Sequence, residues 1–343
     1  MEGGDGPGLR LDAQLVGGDF AELGELAAEA ERAGFDRVWA PELHRSSTVP
    51  LAAAATATSS LELGTGIALA FTRSPFVMAL EMLDLDELSG GRAVLGLGAG
   101  VRRLNERWHA AAYDPPVARM RELIAAVREL IAALSARRDA RAEGEIYDIH
   151  VVGFRRPHHA PRGEIPLWLA AVLPGMTALA GEVADGFLDH PVTTLEWLEG
   201  RLRPALAGGA ARADREPPEV AGALICAVDD DDPDRAREAA AATVGFYATV
   251  KTYKGLFAEH GHDGRLPAIQ RAFISGVPGA LADAVGPEMT DTFAAAGTGE
   301  EVRARVAAYE ARVDRLWVTP PHHDQDAAAI GGWQRAIIRA LAR

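Results

Sequence analysis

The chain has 343 residues, of which 48% are hydrophobic, with a formal net charge of −14 and one cysteine. That charge argues against nucleic acid or an anionic membrane surface as the main partner. No apolar run approaches the roughly 18 residues that span a bilayer, and Cys226 alone forms no internal disulfide.

Residues 1–8 are acidic and glycine-rich and lack the basic and apolar regions of a secretory signal, so they read as a disordered tail on a cytoplasmic protein. Beyond them, short apolar strand candidates alternate with helical patterns. Leu9–Val16 is the first strand. Asp19, with Glu22 three residues on, forms a capping box for the first helix, and Gly34 stops it. Arg37–Ala40 and Leu61–Ala70 follow as strands, the latter carrying Gly64 and Gly66. Ser74 and Pro75 supply an N-cap and a first-turn proline for a helix that Gly90 and Gly91 terminate.

Ala93–Leu97 is the fourth strand and ends among Gly96, Gly98 and Gly100. Val117, Met120, Ile124, Val127, Ile131 and Leu134 then recur at helical spacing, a stripe that faces a core. After an irregular stretch, Arg137–Glu164, come the strands Ile165–Ala171, Gly186–His190 and Val220–Val228. Cys226 lies in the last of these and reads as a buried structural thiol. The acidic run Asp229–Asp232 suits a solvated turn at a helix N-terminus, and Asp232 with Pro233 begins that helix. More helical stretches, broken by Gly261, Pro267, Pro278, Gly286 and Pro287, lead to Tyr309 and the eighth strand, Arg315–Thr319.

Eight strand and helix units predict an α/β fold, a (β/α)8 TIM barrel. The expected arrangement is one domain over residues 9–343, with a helical insertion between strands 7 and 8 at about residues 229–312. In such a barrel the chemistry is carried by the loops that follow the strands. Those positions hold Glu42 and His44, then Phe71, Thr72 and Arg73, then Gly98, Gly100, Arg102 and Arg103. Later come Val172 to Met176, His190, and His322, His323, Asp324 and Asp326.

Glycines in and just after strands imply backbone approached closely by something else, which we take to be a flavin-like ring. A dinucleotide fingerprint fails because Arg103 stands where the third glycine belongs. The histidine pairs make neither a His-Glu-x-x-His pattern nor a cysteine-rich ligand set, so no metal is expected; its best location would be His322, His323 and Asp324. No G-x-S-x-G elbow points to a serine hydrolase.

Several segments together resemble the bacterial luciferase-like flavin and deazaflavin oxidoreductases. They are Leu-Gly-Thr-Gly-Ile at 63–67, Leu-Ser-Gly-Gly-Arg-Ala-Val-Leu-Gly-Leu-Gly at 88–98 and Ala-Gly-Glu-Val-Ala-Asp-Gly at 180–186. Ala-Phe-Thr-Arg-Ser-Pro at 70–75, Phe246-Tyr247 and His260-Gly261 are similar to the actinobacterial branch that uses the deazaflavin coenzyme F420. The resemblance covers roughly Leu9 to Pro320.

What it implies can be given by residue. Gly66 and Ile67 match a bulge with a non-prolyl cis peptide behind the cofactor ring, and a kink in the strand is the alternative for Gly66. Gly98 and Gly100 clear space at the ring's edge. Val172, Leu173, Pro174 and Gly175 match a loop whose amides cradle the cofactor phosphate. Arg102 and Arg103 are placed to grip an anionic tail, or stand as surface arginines. Glu42, His44 and His190 are the candidates for proton handling. Glu42-Leu43-His44 departs from the adjacent Asp-His of the sugar-phosphate dehydrogenases, which argues against a glucose phosphate substrate.

The implied activity is hydride transfer between coenzyme F420 and a small carbonyl, alkene or imine substrate. An FMN-dependent monooxygenase fed by a separate reductase is the alternative, and a barrel that only sequesters a flavin is a third reading. A homodimer is implied by the resemblance alone.

Overall fold

The computed structural model describes residues 8–343; all of the N-terminal tail except Gly8 lies outside them. In chain order the strands are β1 (Arg10–Gln14), β2 (Arg37–Ala40), β3 (Glu62–Thr65), β4 (Ala68–Leu69), β5 (Ala93–Gly98), β6 (Ala140–Ala142), β7 (Ile149–Val151), β8 (Leu167–Ala170), β9 (Gly186–Leu188), β10 (Glu219–Val228), β11 (Ala294–Gly297) and β12 (Arg315–Thr319). Every strand expected from the sequence is present. The expected strand Leu61–Ala70 is divided into β3 and β4, with a cis Gly66–Ile67 peptide between them. Three short strands, β6, β7 and β11, were not foreseen.

The chain divides into two compact units. One comprises the described residues up to Val38 together with Asp189–Arg203 and Val220–Arg343. Its strands β1, β12, β10 and β11 pair in parallel, with Asp12 opposite Trp317 and Cys226 opposite Ala295. The other comprises Trp39–Leu188 and Pro204–Glu219. There β3, β5, β8 and β9 pair in parallel, β4 adds to the far end of β5, and β6 with β7 forms an antiparallel hairpin.

The helix ends follow the local chemistry. Asp19 and Glu22 form the full capping box, and Ser74 caps Pro75–Ser89, which Gly90 ends in the left-handed conformation. Asp232 caps Pro233–Ala248. Met120, Ile124, Val127, Ile131 and Leu134 are all buried on Pro116–Ser135.

The first unit also buries an ion pair. Asp12, with no exposed surface, takes a two-pronged hydrogen bond from Arg315 at 2.8 to 3.1 Å. Cys226 is fully buried, and burial raises its thiol, so it is inert as a nucleophile. Among the described residues no helix is long and apolar enough to cross a membrane.

Candidate active site

In the second unit the site begins with a tryptophan. Trp39, wholly buried at the end of β2, packs edge-on against Trp168 with ring centroids 5.7 Å apart. Its side chain fills the space that side chains at 64 and 66 would need: a Cβ on Gly64 would meet the indole at 2.3 Å, and one on Gly66 would meet the Trp39 Cβ at 2.6 Å. A Cβ on Gly98 would likewise lie 2.8 Å from the Ile67 side chain. The close approach that these three glycines permit on their Cβ side is therefore by the protein's own core. Gly100 differs, because its φ of +61° favours glycine and Leu69 leaves a Cβ only 2.7 Å.

Glu42 brackets the segment Ile67–Leu69. Its amide donates to Ile67 O at 3.0 Å, and its carboxylate accepts from Leu69 N at 2.8 Å and from Arg73. Arg73 also reaches Glu81 at 3.5 Å, where burial raises the Glu81 carboxyl against the pull of Arg73. A carboxylate held by an arginine and a backbone amide acts as a clamp. His44 is exposed.

Beyond β5, Asn105 is buried and holds the turn by donating to Ala99 O at 2.8 Å and Val101 O at 3.1 Å. Arg102 is taken up by Asp114 and Glu106 on the surface, its guanidinium 4.8 Å over Tyr113, whereas Arg103 is exposed. After β8, helix Pro174–Val183 starts at Leu173 with no side-chain cap, and a Cβ on Gly175 would meet nothing within 4 Å. An uncapped helix N-terminus beside open space suits an anionic group. The residues present thus fit a flavin-like cofactor with a phosphate.

The first unit, taken by itself, holds a cluster of rings. His190 lies 4.5 Å from Tyr253 and 4.9 Å from Tyr247 between centroids. Tyr247 meets His322 at 5.6 Å, and Phe246 stacks on His323 at 4.9 Å and 19°. The loop after β12 is tied down by Thr243, whose Oγ1 accepts from the amide of His322 at 3.2 Å.

Burial, aided by His322, takes the His190 imidazole down to about 3. It is neutral at physiological pH. His190 Nδ1 accepts from Val192 N at 3.3 Å, which assigns the ring proton to Nε2. Beside it Asp189 is 3% exposed; burial pushes its carboxyl up to about 7, opposed by a 2.8 Å hydrogen bond from the His190 amide. Among the described residues no group of three or more His, Cys, Asp or Glu side chains is placed to hold a metal.

A profile of luciferase-like monooxygenases matches residues 6–315. The chain belongs to the luciferase-like monooxygenase family. A 5,10-methylenetetrahydromethanopterin reductase of Methanolobus tindarius is 33% identical over 293 residues, 83% of this chain and 85% of its own. An F420-dependent glucose-6-phosphate dehydrogenase of Kineococcus radiotolerans is 30% identical over 68% of this chain and 72% of its own. The solved coenzyme F420 dependent tetrahydromethanopterin reductase of Methanopyrus kandleri superposes with a TM-score of 0.80 at 23% identity, covering 97% of this chain and 99% of that one. That likeness shows the fold of this luciferase-like chain to be the TIM barrel expected from its sequence.

Sequence reasoning passed over Asp189, Asn105 and Thr243. Asp189 had a visible signal, an acid directly before a strand-end histidine. Asn105 had another, as the only asparagine in the chain.

Proposed function

We propose that this luciferase-like protein is an F420-dependent oxidoreductase that moves a hydride between the deazaflavin and a small organic substrate bearing a carbonyl, alkene or imine. The uncapped start of Pro174–Val183 beside open space carries the reading, in a chain with a 30% identical relative that bears the coenzyme in its name. When bound, the deazaflavin supplies the two-electron hydride chemistry.

The chain's own residues hold and orient. Gly66, Ile67, Gly98 and Gly100 form the backbone floor for the ring, and Glu42 with Arg73 keeps that floor in shape. The loop Val172–Gly175, through the amides of Leu173 and Gly175 and with Pro174 preset for the first turn, receives the phosphate. Arg102 is committed to Asp114 and Glu106, which leaves Arg103 for an anionic tail.

Of the three proton candidates, Glu42 is a clamp and His44 is open to solvent. His190, in the first unit, is a neutral ring whose Nε2–H is a hydrogen-bond donor.

The test is anaerobic turnover of reduced coenzyme F420 across a panel of aldehydes, enones and imines. Oxidation of the coenzyme by an organic acceptor without oxygen supports the reading. Activity only with reduced FMN and oxygen would establish the monooxygenase alternative instead.

A further inference from the structure

We infer that helix Arg102–Trp108 tells coenzyme F420 from FMN, with Arg103 and Arg107 holding carboxylates that coenzyme F420 carries beyond its phosphate. This rests on the F420-dependent reading above, and every residue it uses lies in the second unit.

The chain has 49 acidic residues against 35 basic ones, so carboxylate partners for an arginine are plentiful. Arg102 takes two of them, Asp114 and Glu106. Arg103 and Arg107, four residues apart and so neighbours along one side of the helix, are both exposed and meet no carboxylate. Two cations left uncompensated side by side are available to an anion from outside. Trp108 follows them and is 69% exposed, whereas no other tryptophan of the chain exceeds 9%. Its ring offers an apolar face for the methylene stretches of a chain whose charged groups reach the arginines.

The strands place this helix beside the phosphate loop. β5 and β8 pair with Leu97 opposite Leu169, and paired strands lie about 4.8 Å apart. Helix Arg102–Trp108 starts four residues after β5 ends at Gly98, and helix Pro174–Val183 starts four residues after β8 ends at Ala170. The two helices therefore rise from adjacent strand ends. An anion at the uncapped start of Pro174–Val183 has the helix bearing Arg103 and Arg107 as its neighbour.

FMN ends at its phosphate. In coenzyme F420 the phosphate is a diester that continues through lactate into glutamates, so negative charge runs on past it as carboxylates. The phosphate loop serves either molecule, and only the tail separates them. A guanidinium matches a carboxylate with two parallel hydrogen bonds. Exposed pairs of this kind are each worth about two- to fivefold in affinity and are screened by salt, which sets the size of the effect.

Calorimetric titration of the whole protein at low salt tests this with coenzyme F420, with the same molecule stripped of its glutamates, and with FMN. We expect coenzyme F420 to bind about fivefold or more tightly than the stripped form. Arg103→Gln combined with Arg107→Gln should erase that margin and leave the stripped form, FMN and the thermal midpoint unchanged. The margin should also vanish at about 1 M salt, where the Debye length is about 3 Å. Arg137→Gln should keep it, since Arg137 follows the far end of the 20-residue helix Pro116–Ser135, about 30 Å from its start. In the protein alone, iodide should quench Trp108 fluorescence more strongly than caesium, and the double variant should reverse that order.

Equal affinity for the full and stripped coenzymes, an equal loss for both in the double variant, or caesium quenching as strong as iodide overturns the inference. The same titrations separate it from the reading beneath it. No binding of either deazaflavin defeats the oxidoreductase assignment, whereas binding of both without preference for the glutamate tail defeats this inference alone.

Discussion

Asp189→Asn is expected to flatten the pH dependence of stability. The Asp189 side chain is 3% exposed, its Oδ1 accepts one backbone amide at 2.8 Å, and burial raises its carboxyl from an ordinary 3.8 to about 7. The folded protein therefore holds the proton more tightly than the unfolded chain. Stability falls as pH climbs from about 4 to about 7 and levels off above that. A shift of about three units at 1.36 kcal/mol each gives about 4 kcal/mol in full, of which about 2.5 kcal/mol falls between pH 5 and 8.

Asparagine keeps the shape and the acceptor but has no proton to lose. Urea unfolding of both proteins at pH 5, 6, 7 and 8 reads the effect directly. Wild-type stability relative to Asp189→Asn should drop by about 2.5 kcal/mol across that range. A constant difference at all four pH values would refute the reasoning, since the carboxyl would then titrate as an exposed one does.

Gly66→Ala drives a methyl to within 2.6 Å of Trp39 Cβ and should lower stability by about 1 to 3 kcal/mol, seen as a reduced thermal midpoint. Gly175→Glu places its side chain in open space, so the midpoint should hold while coenzyme affinity, measured by titration, falls about tenfold from repulsion of the phosphate. Asp12→Ala strands the buried Arg315 and should cost about 3 to 5 kcal/mol in urea unfolding. Adding Arg315→Met should restore most of it.

The repeating units were legible because each expected strand is a compact apolar run and the helices Phe20–Arg32 and Pro75–Ser89 carry their own caps. β11 was not, because Ala294-Ala295-Ala296 is a helix-favouring sequence that becomes a strand only by pairing with Ile225–Val228. The hairpin β6–β7 was hidden for another reason, being only three residues on each side.

At the site, strand-end position picked out Glu42 and His190, but position does not reveal charge state. Arg73 and the Leu69 amide make Glu42 a clamp, and burial makes His190 neutral; both depend on residues that the fold brings together. The glycines at 64 and 66 illustrate the same limit. The sequence signals a close approach, yet only the structure shows that Trp39 makes it on the Cβ side.

The central claim is most directly tested by titrating the protein with oxidised coenzyme F420 and with FMN under identical conditions. The account predicts saturable binding of coenzyme F420 and FMN binding at least about tenfold weaker. Tight binding of FMN with no measurable affinity for coenzyme F420 would contradict it.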